Sequence, residues 1–151
     1  MALAKKDNTK IVTHEAKNES TISGINSKAE LIAMEKIMKQ KKIEKLVEQG
    51  ITIIDPSRTE IRGSLICGSD VEIDVGCIFE GEVKLGNNVK VGAYSHVKDS
   101  NILDNSNIKP YSHIDKSGIG MNNNVGPYAR LRPGAKTKYN VCLLYTSPSP
   151  R

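Results

Sequence analysis

The sequence predicts an all-β parallel solenoid, a triangular β-helix of short coils, preceded by a linker α-helix. Three observations carry this. Aliphatic residues recur at six-residue steps between Ile61 and Leu143. A second register of small or apolar residues lies four places after each of them. Aromatic residues make up only 4% of the 151 residues, with no Trp and one Phe. Layered cores lean on large rings, but a thin solenoid filled by aliphatic side chains does not need them.

Residues 1–25 are polar and weakly patterned, and Lys10-Ile-Val-Thr13 reads as a short strand. Such a stub is unstable alone and is expected to be the last edge of a preceding domain. A helix follows. Ser27 is its expected N-cap, and Glu30 completes a capping box. Leu31, Met34, Met38, Ile43, Leu46 and Val47 form an apolar face at roughly helical spacing. Gly50 is the expected stop. Lys36, Lys39, Lys41, Lys42 and Lys45 lie between the apolar positions and read as a solvated face. No aromatic side chain interleaves with them to stack on bases, so nucleic acid is not an expected partner. Ile51-Thr-Ile-Ile54 reads as a strand and Asp55-Pro56-Ser57 as a turn.

The coils begin at Ile61. The leading positions are Ile61, Cys67, Ile73, Phe79, Leu85, Val91 and Val97, then Ile102, Ile108 and Ile114, then Ile119, Val125, Leu131, Thr137 and Leu143. Five-residue steps at 97–102 and 114–119 separate the three runs. Fourteen of the fifteen are apolar, where the overall 38% hydrophobic content gives about six. The second register holds Leu65, Val71, Cys77, Val83, Val89, Ser95, Ser106, Ser112, Ala129, Ala135 and Val141, with Asn101, Gly118 and Asn123 as exceptions. Each lies two residues before the next leading position, so both point to one face of a strand. Gly86, Gly92, Gly120 and Gly126 directly follow leading residues, where the chain is expected to bend. One strand and one turn cannot close a core. Three such faces close a triangular coil, and each five-residue step is expected to tighten a corner.

Formal net charge is +5, which would suit nucleic acid or a phosphorylated small molecule, but the lysines concentrate in the helix. Three cysteines without CxxC spacing argue against a disulfide framework or structural zinc and for a reducing cytosol. No apolar run reaches a membrane span or a signal peptide. A cytoplasmic protein is therefore expected.

His96 and His113 fall at equivalent places about one coil apart and could stack. Two aligned histidines are too few for zinc, and surface histidines are the preferred reading. Cys67 and Cys77 take inward registers as small hydrophobes. Asp70, Glu72 and Asp74 alternate along one strand and face solvent. Arg130 and Arg132 flank Leu131 and project outward. They read either as a solvated corner or as a phosphate site.

A six-residue repeat with aliphatic leads resembles the left-handed β-helix acyltransferases. A narrower resemblance rests on Gly24-Ile-Asn-Ser-Lys28, the helix, Gly50-Ile-Thr-Ile-Ile-Asp-Pro56, Asp70-Val-Glu-Ile-Asp74 and Gly126-Pro-Tyr-Ala-Arg-Leu-Arg-Pro-Gly-Ala135, in that order. Together, over roughly residues 10–143, they resemble the bifunctional N-acetylglucosamine-1-phosphate uridyltransferase/glucosamine-1-phosphate N-acetyltransferase family. Arg-Leu-Arg-Pro-Gly is the most specific part.

The resemblance implies the left hand of the β-helix and a domain order. Residues 1–26 would be the C-terminal edge of a nucleotidyltransferase domain, 27–50 a linker helix, and 51–143 the first coils of an acetyltransferase domain. It implies acetyl transfer from acetyl-CoA to glucosamine-1-phosphate. Uridylyl transfer from UTP to N-acetylglucosamine-1-phosphate follows, with Mg²⁺, to give a UDP-sugar for peptidoglycan and lipopolysaccharide. A homotrimer is implied as well. Asn26 matches a magnesium ligand, since a carbonyl oxygen suits a hard cation. Arg132 matches a residue that binds the sugar phosphate, since a guanidinium fork suits a phosphate dianion. No residue here matches a catalytic one; the family's general-base His lies beyond Leu143. Residues 144–151 depart from the family's pattern, and prolines 148 and 150 cannot continue a ladder. They read as an artefactual tail on a truncated chain that is inactive alone. A non-catalytic, trimer-forming β-helix module, or another hexapeptide-repeat enzyme such as an acyltransferase or a zinc-dependent hydratase, is the alternative.

Overall fold

The computed structural model describes residues 26–144. The strand expected at Lys10–Thr13 and the tail from Tyr145 lie outside them. The chain divides into two compact units, Met1–Lys36 and Ile37–Arg151. The described part of the first is the start of a helix, Lys28–Glu48. The Ser27 hydroxyl accepts the Glu30 N–H at 3.2 Å. The Glu30 carboxylate accepts from the Asn26 N–H at 2.7 Å rather than from Ser27, so the capping box reaches one residue further back.

In the second unit the helix ends in a Schellman motif. Gly50, at φ 86, donates to the Val47 carbonyl (2.9 Å), and Ile51 donates to that of Leu46 (3.1 Å). Leu46 and Ile51 are both buried, the apolar contact that accompanies this cap. The expected apolar face is only partly used. Ile43 and Leu46 enter the core, whereas Leu31, Met38 and Val47 are exposed. Within the second unit Ile43 and Leu46 join the core cluster of the coils, and Met38 and Val47 lie off that side of the helix. Thr52–Ile53 forms the first strand. A 3₁₀ turn, Pro56–Arg58, follows, and the Asp55 carboxylate caps it. That carboxylate accepts from the Ser57 hydroxyl at 2.6 Å and from the Ser57 N–H at 3.0 Å. The hydroxyl bond is the main reason its pKa falls below the ordinary value.

The rest is a left-handed parallel β-helix. Its first inward column is Ile61, Phe79, Val97, Ile114 and Leu131. The second is Cys67, Leu85, Ile102 and Ile119. The third is Ile53, Ile73, Val91, Ile108, Val125 and Leu143. Most are under 5% exposed and share one core. Each leading residue from Ile61 to Leu143 that pairs across coils does so in the expected phase, both five-residue steps included.

Two expectations need correction. Asn101 and Gly118 do not take the second inward register. Ser100 and Ser117 do, at 4% and 5% exposure. The missing residue is lost at the corner before them, so the inward place moves forward by one. Gly86, Gly92 and Gly120 do not make the bends, which fall later, at Asn88 and Tyr94 with φ 54 and 56. Their need is for room. A Cβ on Gly86 would stand 2.7 Å from the Asp104 nitrogen of the next coil, and one on Gly92 as near the Pro110 nitrogen.

The bends form ladders. One corner repeats Asp70, Asn88, Asn105, Asn122 and Asn140, all left-handed; short polar side chains tolerate this by bonding locally. Another repeats Gly76, Tyr94, Tyr111 and Tyr128. The three tyrosines stack with centroids 5.4 and 5.2 Å apart. Arg58 lies over the first ring and donates to its hydroxyl at 2.7 Å.

Candidate functional site

The Gly126–Ala135 segment closes the fourth pairing of the first face. Leu131 is buried and pairs with Ile114, so Arg130 and Arg132 on either side are exposed, as the alternation requires. Arg130 continues an outward column with His96 and His113. Arg132 comes in the place that continues Arg62, Glu80, Lys98 and Asp115. The backbone at Arg132 is held from two sides. Its carbonyl accepts from the Ser117 hydroxyl and from the Ala135 N–H, each at 3.0 Å. Among the described residues neither guanidinium has an ion pair.

The wall above is charged. Lys98 Nζ lies 2.5 Å from Glu80 Oε1, which lowers the carboxyl pKa and raises that of the amine. His96 Nε2 comes within 3.4 Å of the other oxygen of Glu80 without forming a hydrogen bond. The ring centroids of His96 and His113 lie 5.0 Å apart with the planes tilted by 42°, both half-buried. Burial first, then His96 and Arg130, push the His113 pKa below 6.5. One Asp115 oxygen is buried without a partner among the described residues. Among the described residues there is no group of three or more His, Cys, Asp or Glu placed to hold a metal.

Burial raises the Cys67 thiol to about 12 and the Cys77 thiol to about 11, so both are inert small hydrophobes. Asn26 sits one place before the helix cap, exposed, far in sequence from Arg132. It offers one amide oxygen, and among the described residues the carboxylate bonded there, that of Glu30, accepts its backbone N–H. The described residues therefore do not build a magnesium site. The structure also brings in Ser117, which sequence reasoning passed over. Its signal was the five-residue step that moves the inward place onto it.

Residues 61–143 match the family described as the GMPPB C-terminal domain. The chain is similar to the bifunctional protein GlmU of Marinomonas sp., with 53% identity over 136 residues, covering 90% of this chain and 30% of that protein. It is similar to the bifunctional protein GlmU of Nitrosospira multiformis, with 44% identity over 141 residues, covering 93% of the chain and 31% of the relative. For that of Methylibium petroleiphilum the identity is 43% over 136 residues, with 90% and 30% covered. The chain thus spans about 30% of the length of these curated relatives. No described helix is long and apolar enough to cross a membrane.

Proposed function

Because the chain belongs to the GlmU family, we propose that it is part of a bifunctional, cytoplasmic, homotrimeric enzyme of UDP-N-acetylglucosamine synthesis. In this reading residues 27–50 link a nucleotidyltransferase domain, ending near residue 26, to the coils of an acetyltransferase domain at 51–143. Residues 144–151 stand outside the family's pattern. The acetyltransferase domain moves an acetyl group from acetyl-CoA to the amine of glucosamine-1-phosphate. In the other domain the phosphate of the product attacks the α-phosphate of UTP, which forms the UDP-sugar and releases diphosphate, and Mg²⁺ would offset the phosphate charge there. Asn26 is one proposed magnesium ligand. The described residues supply no second ligand beside Asn26.

Arg132 carries the part of this mechanism that belongs to the chain. Its proposed role is to hold the phosphate of glucosamine-1-phosphate by a bidentate, charge-assisted contact, which orients the amine for acetyl transfer. The observation that supports it is a guanidinium with no ion pair among the described residues on an anchored backbone: Leu131 is buried on one side and the Arg132 carbonyl is held on the other. Arg130 stands as an outer, less important charge.

The test is a chimera in which these coils continue into those of the Marinomonas relative. Arg132→Ala should lower acetyl-transfer kcat/KM at least about tenfold, or about 1.4 kcal/mol of transition-state binding. Arg130→Ala should cost much less. Equal, small effects in an intact trimer would overturn the assignment. The 151-residue chain by itself should form neither product above a no-enzyme control, since one matched residue is not a catalytic constellation. Turnover there would point to residues that this reading does not include.

A further inference from the structure

The second face carries a slot on its outer wall that the acetyl-transfer reading does not use. Its outward column runs Lys84, Asn101, Gly118 and Lys136. Neighbouring strands lie about 4.8 Å apart, so the two lysines stand three coils, or about 14 Å, apart along the axis. Between them are a short side chain and none. The result is a cleft of about 430 Å³ with Lys84 at one end and Lys136 at the other; Lys116 also lines it.

Gly118 is the informative residue. Gly86, Gly92 and Gly120 are forced by the next coil, whose backbone leaves a Cβ no space. Gly63, Gly76, Gly81, Gly126 and Gly134 have left-handed φ values. Gly118 has neither reason. Its φ is ordinary, and a Cβ there would meet nothing nearer than Lys136 Cγ at 3.8 Å. It sits in a strand, Gly118–Ile119, where glycine weakens pairing and β-branched residues are favoured. The fold would accept a side chain at this place, and the slot would not.

The charge balance selects the occupant. Three lysines line the cleft against Glu82 and Asp99. The Asp99 carboxylate is already engaged by the Glu82 N–H at 3.1 Å. None of the three lysines forms an ion pair among the described residues. No aromatic ring lines the cleft, so it offers no platform for stacked bases. The geometry points to a binding site for a diphosphate group, lying over Gly118 and held at its two ends by Lys84 and Lys136. Ammonium groups on flexible four-carbon stems can close on it from both sides. Lys116 adds charge from the rim. Two sources share this chemistry, free diphosphate and the diphosphate of a nucleotide.

The experiment is a calorimetric titration of the full chain with sodium diphosphate, and separately with UDP, at fixed ionic strength. Saturable one-site binding is expected. Gly118→Val should weaken it at least about tenfold while the melting temperature holds or rises. Lys84→Ala and Lys136→Ala should each weaken it by about threefold or more. Lys109→Ala, outside the slot, should stay within about twofold. Equal or tighter binding of UDP would assign the group to a nucleotide, and tighter binding of free diphosphate to the inorganic ion; either supports the site. Should Gly118→Val fail to fold, Gly118→Ala and the lysine variants decide the matter. The site is refuted by no saturable binding, by slot variants that bind like the parent, or by loss of binding through Lys109→Ala.

Discussion

The first coils and the later ones build the same triangle by different means. Between Ile61 and Val91 the second inward register is apolar: Leu65, Val71, Cys77, Val83 and Val89. Its repeat is 18 residues, as in Ile61 to Phe79, and the strands Glu60–Cys67 and Ile78–Leu85 run unbroken around one corner. That corner bends at glycines, Gly63 and Gly81. From Ser95 to Asn123 the register turns polar: Ser95, Ser100, Ser106, Ser112, Ser117 and Asn123 are all buried. The repeat there is 17 residues, as in Val97 to Ile114. The dropped residue is replaced by a bond. Ser100 donates to the Lys98 carbonyl (2.5 Å) and Ser117 to that of Asp115 (2.7 Å), each closing the tight corner from two residues on. The Ser100 hydroxyl also accepts the Ser117 N–H of the next coil at 3.0 Å, whereas the one Ser117 hydroxyl proton is shared between the Asp115 and Arg132 carbonyls. The leading column must be aliphatic because it fills the axis. The second register can be polar wherever it lies within reach of backbone groups that need partners.

The largest break in this comparison is a charge in the leading column. Val91→Asp should destabilise the chain by at least about 3 kcal/mol, because it strands an unpaired charge in an aliphatic stack. Lys90→Asp, one place earlier, should cost about 1 kcal/mol or less, since it loses only an exposed pair with Glu72. Similar chemical-denaturation midpoints for the two would mean that the inward register is misassigned.

Next comes Asn123, the fully buried amide of the later region. It donates to Thr137 Oγ1 (2.6 Å) and the Lys138 carbonyl (2.7 Å) and accepts from the Val141 N–H (2.7 Å). Asn123→Leu should cost about 2–3 kcal/mol, because it removes three hydrogen bonds to part-buried groups. In the apolar region the volume-conserving Leu65→Met should cost less than about 1.5 kcal/mol. Urea melts of the pair measure this, and a substitution at 123 as harmless as the one at 65 would remove the distinction between the regions.

A smaller effect tests the corner. Ser117→Ala should cost about 1 kcal/mol, the net worth of a neutral hydrogen bond. In the chimera it should also lower acetyl-transfer efficiency, because the Arg132 carbonyl loses one of its two holders. An unchanged kcat/KM beside a lowered melting temperature would confine Ser117 to stability.

The smallest effect is in pH. His113 titrates below 6.5 in the folded chain, chiefly through burial. The unfolded chain then binds the proton first, so stability rises with pH up to about 6.5 and falls as pH drops below it. His113→Gln should flatten the melting temperature between about pH 5 and 7 relative to the parent. A parent curve already flat there would mean that the ring titrates normally.

The leading column was legible in the sequence because one aliphatic side chain per face is an absolute demand of a closed core, and six-residue spacing records it. The helix cap at Ser27 and the stop at Gly50 were legible for a similar reason: each is a local backbone need that few residue types meet. Arg132 was legible through a resembling motif. Sequence could not say that Met38 stays exposed, because that depends on which side of the helix packs on the first coil within the second unit. Nor could it say that Ser100 and Ser117, rather than Asn101 and Gly118, turn inward. A dropped residue shifts the face only once the corner is built, and spacing alone does not show on which side of the loss the chain turns. The slot at Gly118 has the same origin. Lys84 and Lys136 are 52 positions apart in the chain, and only the stacking of three coils brings them to either end of one gap.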